Sequence, residues 1–438
     1  MSDTTLRHRI SYGAGSVATG IFAASPGLFL LIYLTDTLAV PAAVAGLALL
    51  LPRVWDVITD PLMGMISDRT KSRWGRRRPY LLFGALLAPV LFFGIFATPD
   101  TGVPFTNFLW VTGVYALAAT AFTVFAIPYL AMPAEMTDAP HERTRILSWR
   151  MAALVIGILL AGAVGPELVK LGGGGRGGYS LMAAVLAVFL FVAMMACVFG
   201  TGGTRMVERS ENALPLRQQI AAVIGNRRYM ILLASYILQS MATGAMMASV
   251  PFFAKYTLAG NETTITILFL CLVLPSLLTM PIWVRLSATF GKKACYVFSV
   301  LIFGLGAGGL YFADPGQLIL VYLVVAIMGC GYAGTQLFPF SILPDIIADD
   351  RQMSGEAREG VFTGVWMASE KTAIAIGGFV SATVLAFAGF VESTGGVSVA
   401  QPGTAMTGIA IIFTVVPAIL LLISLPVLMV LSTPKQVE

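Results

Sequence analysis

The sequence predicts an all-α polytopic membrane protein, with twelve transmembrane helices arranged as two six-helix bundles. Three observations carry that expectation. First, 57% of the 438 residues are hydrophobic and only 11% are charged, at a mean hydropathy of +0.86. A soluble domain carries about 25% charged residues, so a soluble enzyme, a nucleic-acid binder and a disordered chain are excluded. Second, the apolar residues fall in long unbroken runs, each of the roughly 20 residues that a helix needs to cross a bilayer. A membrane β-barrel would alternate apolar and polar residues over about ten positions. Third, the second half of the chain echoes the first.

The spans are expected near 11–35, 41–65, 80–98, 107–134, 147–170, 179–201, 229–257, 263–286, 294–313, 317–343, 361–390 and 405–432. Arg7 and Arg9 precede the first span without an A-x-A-like cleavage site, so no removable leader is expected. Twenty-one of the 27 basic residues fall on the termini and even-numbered loops; Lys170, Arg176 and Lys255 fall opposite. Basic loops stay inside, which puts both termini in the cytoplasm. The stretch 202–228 is polar and basic. It divides an amino-terminal bundle (1–201) from a carboxy-terminal one (229–438). The loop after span two carries Arg69, five residues, then Gly75-Arg76-Arg77; the loop after span eight carries Arg285, five residues, then Gly291-Lys292-Lys293. Pro133–Asp138 with Glu142-Arg143 is echoed by Pro344–Asp349 with Glu356 and Arg358. A six-plus-six repeat suits a carrier that rocks two bundles around a midplane site.

Span two reads Pro52-Arg53-Val54-Trp55-Asp56-Val57-Ile58-Thr59-Asp60-Pro61. At the bilayer centre its three charges cost about 8–10 kcal/mol, against about 3–5 kcal/mol returned by the nine Leu, Ile and Val residues of the span. A lipid-facing helix does not tolerate that balance, so these groups must face protein, water or each other. Asp56 and Asp60 stand at i and i+4, one turn apart on one face. Two such carboxylates bind a monovalent cation through hard oxygens, or share a proton. The competing reading makes them structural partners of Arg53 or Lys371. Thr120, Thr123, Pro128, Tyr129 and Glu135 in span four, Arg150 in span five, and Trp366, Ser369, Glu370, Lys371 and Thr372 in span eleven add embedded polar or amphipathic groups. Intramembrane charges are functional by default. Lys371 lies deep and needs an anion; Asp56 and Asp60 are its expected partners.

Other features read plainly. Cys197, Cys271, Cys295 and Cys330 are scattered, and only His8 and His141 exist, so no transition-metal or redox set is expected. The glycines of span nine suit close helix packing. The run Gly172–Gly178 reads as a flexible external loop. Arg69, Arg76 and Arg143, with Asp68 as a local partner, are expected to meet an acidic counter-surface at Asp345 and Asp349, with Arg358 nearby; such loop pairs can latch one conformer. No nucleophile–base pair points to an enzyme.

The stretch from Trp55 to Tyr80, WDVITDPLMGMISDRTKSRWGRRRPY, resembles the signature of the glycoside–pentoside–hexuronide:cation symporters of the major facilitator superfamily. Ser11-Tyr12-Gly13, Thr35-Asp36, Ile127-Pro128, Pro344-Asp345 and Lys371 match too, so the resemblance covers nearly the whole chain. It implies the major facilitator fold and import of a small organic solute, by analogy a sugar or glycoside. Coupling would be to Na⁺ or H⁺, with no cofactor. A monomer in the plasma membrane (the inner membrane of a bacterium) is implied, with no nucleic-acid partner. It implies a cation site at Asp56, Asp60 and Thr123, an arginine near the solute at Arg150, and a lysine near the cation at Lys371; Trp366 is placed with the solute. Melibiose-carrying members hold sugar hydroxyls with a carboxylate in span one and another in span four, beside an aromatic platform. Those positions look like Gly20, Ala126 and Leu130 here. Their loss leaves two alternatives open: a lysolipid or other amphipathic solute, as in the sodium-coupled lysophospholipid symporters of animals, or uncoupled uniport or export.

Overall fold

The computed structural model describes residues 5–70, 72–137, 140–202, 221, 223–354, 359–396 and 399–431. Twelve helices among them are long and apolar enough to cross a membrane. They are α1 (Leu6–Thr37), α2 (Ala42–Ser67), α3 (Arg78–Phe96), α4 (Pro104–Pro133), α5 (Arg145–Leu171), α6 (Gly175–Gly200), α7 (Arg227–Thr257), α8 (Glu262–Phe290), α9 (Lys292–Phe312), α10 (Pro315–Ser354), α11 (Gly360–Phe387) and α12 (Gly403–Met429). The only β feature among the described residues is an isolated antiparallel bridge, Leu38 to Thr394. The expected fold class is the one observed.

Helix ends differ from expectation for local reasons. α1 starts five residues early because Thr5 and His8 cap each other. The Thr5 hydroxyl accepts from the His8 N–H at 3.4 Å, and His8 Nδ1 accepts from the Thr5 N–H at 3.4 Å. α10 continues to Ser354 although apolarity stops at residue 343. Apolarity marks the bilayer-crossing stretch; the helix itself continues into polar sequence.

The Cα framework divides into two compact units. One is Met1–Glu211 with Val391–Ala400; the other is Asn212–Phe390 with Gln401–Glu438. The divide at residue 211 falls inside the stretch 202–228. Residues 391–400, which sequence order places in the second half, go with the first unit.

The units share one packing pattern. In the first, α1 packs on α5 and α6, α2 on α4, and α3 on α4 and α6. In the second, α7 packs on α11 and α12, α8 on α10, and α9 on α10 and α12. Each pair is the other's shifted by six helices. Matching glycines set the tightest crossing in each. A Cβ on Gly20 would lie 2.3 Å from the Leu154 carbonyl oxygen, and one on Gly157 would lie 2.1 Å from that of Val17. In α7 and α11, a Cβ added to Gly244 or Gly377 would lie 2.1 Å from the carbonyl oxygen of Ile374 or Met241 respectively. Without a hydrophobic drive between helices in lipid, such close backbone approach supplies the packing. A further echo, absent from the loop motifs, closes each first helix. Tyr33–Thr37 and Phe253–Thr257 both wind as π turns into Thr-Leu-Ala, with Ala39 and Ala259 at φ 53° and 49°.

Ion pairs tie together the basic end of each unit. Glu135 Oε1 accepts from Arg76 Nη2 at 2.6 Å and from Arg77 Nε and Nη2 at 3.0 and 2.8 Å; Arg77 Nη1 donates to the Ser67 hydroxyl at 2.6 Å. Arg78 Nη2 donates to the Thr201 carbonyl at 2.6 Å, at the end of α6. In the second unit Lys292 reaches Asp345 Oδ2 at 2.6 Å, while Lys293 donates to the carbonyls of Met429 and Leu431 at the end of α12. Arg77 and Glu135 are each 5% exposed. Breaking one partner of a buried ion pair is costly, so Glu135→Gln is expected to lower stability by roughly 3 kcal/mol, read as a fall in the thermal unfolding midpoint in detergent.

Candidate functional site

The unusual residues of α2 converge on α4. Arg53, Asp56 and Asp60 stand at i, i+3 and i+7, so one face of α2 carries all three. Opposite them, Tyr115, Ala119 and Thr123 form a stripe on α4 at i, i+4 and i+8. The small Ala119 keeps the two helices close. Thr123 Oγ1 donates to Asp60 Oδ1 at 2.7 Å. Arg53 Nη1 lies 3.2 Å from Asp56 Oδ2, and its guanidinium sits 5.6 Å from the centre of the Tyr115 ring. Asp56 is 3% exposed, Thr123 also 3%. Trp55 Nε1 donates to the Thr120 hydroxyl at 2.9 Å, and Thr120 donates to the Ala116 carbonyl at 2.8 Å. This fixes the rotation of α2 against α4. Pro61 and Pro128 have no N–H, so the carbonyls of Val57 and Val124 lack their helical donor. Carboxylates, a hydroxyl and loosened carbonyls are the oxygen groups with which broken membrane helices coordinate monovalent cations. Among the described residues, no group of three or more His, Cys, Asp or Glu side chains converges as a metal-ligand set.

The other expected site residues are on α1, α4, α5 and α11. Arg150 is half-buried on α5, and Tyr12 of α1 packs on Tyr129 of α4. Those rings stack at 4.5 Å, and the Tyr129 hydroxyl bonds Ser16 at 2.8 Å and donates to the Tyr12 carbonyl at 2.9 Å. Ala126 and Leu130 are half-buried on α4, and Lys371 is half-buried on α11.

Two expectations need correcting. Gly20 does not stand where a carboxylate was lost from a solute cavity. It is the glycine of the α1–α5 crossing, where any side chain meets backbone. Trp366 presents no face to a solute either. It is 0% exposed, stacked on Tyr236 at 4.5 Å and flanked by Tyr229 and Phe340. The reason is the stripe Phe362, Trp366, Glu370, which turns one face of α11 onto α7. There Tyr229 donates to the Phe362 carbonyl at 2.8 Å and Tyr236 donates to Glu370 Oε1 at 2.7 Å.

The expected latch residues are distributed differently too. Asp345 and Asp349 pair inside their own unit, with Lys292 and Arg228. Arg76 shares Glu135 with Arg77. Arg69 is exposed. The side chains of Asp68 and Arg143, and the whole of Arg358, lie outside the described residues. Sequence reasoning left Arg77, Glu135 and Arg228 out of the latch, as well as Arg9, which holds Glu142 at 2.7 Å. The signal for Glu135 was present: like Asp345, it follows closely on a proline where the half-repeats align.

A family model described as MFS/sugar transport protein matches residues 11–435. The chain belongs to that family. Its relatives include the putative glycoside/cation symporter YagG of Escherichia coli, 27% identical over 96% of this chain and 90% of its own. The sodium-dependent lysophosphatidylcholine symporter 1 of mouse is 26% identical over 95% of this chain and 84% of its own. Among solved structures, the D-xylose-proton symporter superposes with a TM-score of 0.70 at 14% identity, covering 95% of this chain and 96% of its own. The family and the twelve apolar helices make the protein an integral membrane protein of transporter type. The motif in α2 therefore sits in a member of the MFS/sugar transport family.

Proposed function

We propose that the protein is a cation-coupled symporter that imports a small hydroxyl-bearing solute, a sugar or glycoside, through the plasma membrane, with both termini cytoplasmic. Asp56, Asp60 and Thr123 bind the cation, Na⁺ or H⁺. The observation that carries this reading is the 2.7 Å bond between Thr123 and Asp60, which closes α2 onto α4 beside a second buried carboxylate. Family names such as glycoside/cation symporter support it, and the 21 basic residues on one side support the orientation.

In this reading Arg53 is the resident counter-charge. It neutralises Asp56 when no ion is bound, with the Tyr115 face holding the guanidinium. An entering cation takes over that neutralisation, and the freed Arg53 changes how α2 sits on α4. Arg150 and Lys371 orient the solute. Ion and solute together stabilise the occluded state more than either alone, which is a coupling free energy.

A second reading has one observation in its favour. Ala126 carries no acid, and a relative is named a sodium-dependent lysophosphatidylcholine symporter. An amphipathic solute fits that loss. A thermal-shift screen of the purified protein separates the two. D-xylose, melibiose and lysophosphatidylcholine are each added in NaCl and in choline chloride, at two pH values. Stabilisation by a sugar that depends on Na⁺ or pH supports the first reading; stabilisation by lysophosphatidylcholine alone replaces it. Cation dependence of neither overturns coupling.

Thr123→Ala removes one hydroxyl from a charged partner, worth about 1.5–3 kcal/mol. The apparent cation affinity is expected to fall roughly tenfold or more. Thr123→Ser should retain most of it, measured as the NaCl or proton concentration giving half-maximal stabilisation.

A further inference from the structure

The connection between α11 and α12 does not stay with the helices it joins. Residues 391–400 belong to the first unit, where 391–396 close the ends of α1 and α2. The Ser393, Gly395 and Gly396 N–H groups donate to the carbonyls of Thr35, Thr37 and Asp36 at 3.1, 3.1 and 2.9 Å. The Ser393 hydroxyl donates to the Asp36 carbonyl at 2.9 Å. Glu392 Oε1 accepts from the Ala42 N–H at 2.9 Å.

These bonds answer a local deficit. A helix ends with carbonyls that lack partners and begins with N–H groups that lack them. The π turn Tyr33–Thr37 presents the carbonyls. Pro41, at the N-cap of α2, brings no side-chain acceptor. The strap supplies donors to the first set and a carboxylate to the second, where the helix dipole favours negative charge. The second unit has the same π turn, but the first turn of its α8 is capped locally. Asn261 caps α8 from within, accepting from the Thr264 N–H at 3.4 Å while Thr264 Oγ1 accepts from the Asn261 N–H at 3.2 Å. Here the two halves differ: in the first unit the cap on α2 comes from the connection between α11 and α12.

The glycine run 172–178 completes the dock and is not the loose loop its composition suggested. Gly172 and Gly174 N–H groups donate to Leu168 and Val169 carbonyls at 3.0 and 2.9 Å. A Cβ on Gly175 would stand 2.5 Å from the Gly395 carbonyl oxygen. Only glycine admits the strap so close.

We propose that residues 391–396 are a releasable strap: docked, they cap α1 and α2 and hold the termini of α11 and α12 to the first unit, and they undock in one of the two alternating conformations. The reason for release is connectivity. Four residues separate Phe387 from Glu392, five Cα–Cα steps that reach at most about 18 Å. Gly389 (φ +74°) and Pro402 flank the strap as bends. When α11 and α12 move relative to α1 and α2, this short chain gives way at its polar bonds. Three of those bonds are main-chain and two use the Glu392 and Ser393 side chains, so the strap is held by polar contacts and not by an interlocked apolar core.

The test needs no knowledge of ion or solute. Leu38 and Thr394 are a non-hydrogen-bonded antiparallel pair, where Cα atoms lie about 4.5 Å apart, within disulfide reach. In hydrogen-exchange mass spectrometry on the full-length protein, the peptide covering 391–396 is expected to exchange about tenfold or more slower in oxidised Leu38→Cys/Thr394→Cys than in the wild type, and reduction should restore the rate. Equal exchange in the oxidised variant and the wild type would mean that the strap never undocks, and would overturn the proposal. Glu392→Gln/Ser393→Ala, which leaves the buried Leu38 in place, should speed exchange of the same peptide; no change would overturn it equally. In proteoliposomes, with whichever solute the stability screen returns, the oxidised variant should be inactive and dithiothreitol should revive it. Transport at the wild-type rate while oxidised overturns the proposal even if exchange slows. If the screen returns no solute, the exchange result decides alone.

Discussion

Replacing Asp60 or Asp56 by asparagine is expected to abolish cation-driven accumulation while leaving the folded protein intact. In proteoliposomes with an imposed Na⁺ or H⁺ gradient, uptake by either variant should fall to the level of passive equilibration. The physical reason differs between the two. Asparagine at 60 still receives the Thr123 hydrogen bond, so α2 and α4 stay joined. What is lost is the negative charge that attracts the ion. Asparagine at 56 leaves Arg53 without the carboxylate 3.2 Å away. The Tyr115 ring below the guanidinium keeps that charge in place. Asp60→Asn should therefore unfold near the wild-type temperature and Asp56→Asn lower, because Arg53 loses its carboxylate, and neither should show a shift on adding the coupling ion. Uphill accumulation in either would remove Asp56 and Asp60 from the ion path.

Gly20→Asp is the second large effect, and its direction is counter-intuitive. By family analogy an acid at this position would restore a sugar ligand. The crossing of α1 and α5 says otherwise. The Leu154 carbonyl oxygen would stand 2.3 Å from the new Cβ, and the Ile158 nitrogen 2.6 Å from it. Overpacking of this kind costs about 1–3 kcal/mol, and a buried unpaired carboxylate adds several more. The variant should be recovered in low yield with a thermal midpoint far below wild type, with no gain of galactoside uptake. Gly157→Ala, from the other side of the crossing, should destabilise without the charge penalty, by about 1–3 kcal/mol. A stable Gly20→Asp protein that takes up melibiose would mean that position 20 faces the solute after all.

Much of this was legible in the sequence, and the limits have physical causes. Twelve helices follow from apolar run length, because lipid forces every backbone group into a helix. The α2 triad follows from the cost of burying Arg53, Asp56 and Asp60 together. The Asp60–Thr123 contact required the family resemblance, because spacing within α2 says nothing about which helix faces it. Gly20 misled because a missing acid and a packing glycine look alike in one dimension. Only the neighbour's carbonyl distinguishes them. Trp366 misled because aromatic residues in transporters both line cavities and fill cores, and the stripe Phe362, Trp366, Glu370 is visible only once α7 is beside it. The ion pairs of Asp345 and Asp349 were assigned across the chain because opposite charges in separate loops suggest a meeting. Lys292 and Arg228 lay closer in the fold. The strap at 391–396 could not be read at all. Its role depends on a cap that Pro41 fails to provide, and an absent hydrogen bond leaves no motif.

Direct ion binding to the purified protein tests the central claim most simply. Calorimetric titration with NaCl at fixed pH, paired with proton uptake measured in Na⁺-free solution, should show saturable binding of one of the two cations to the wild type. The account predicts that Asp60→Asn loses that binding and that Thr123→Ala weakens it by about tenfold or more. Binding of the same cation with unchanged affinity in Asp60→Asn would contradict it.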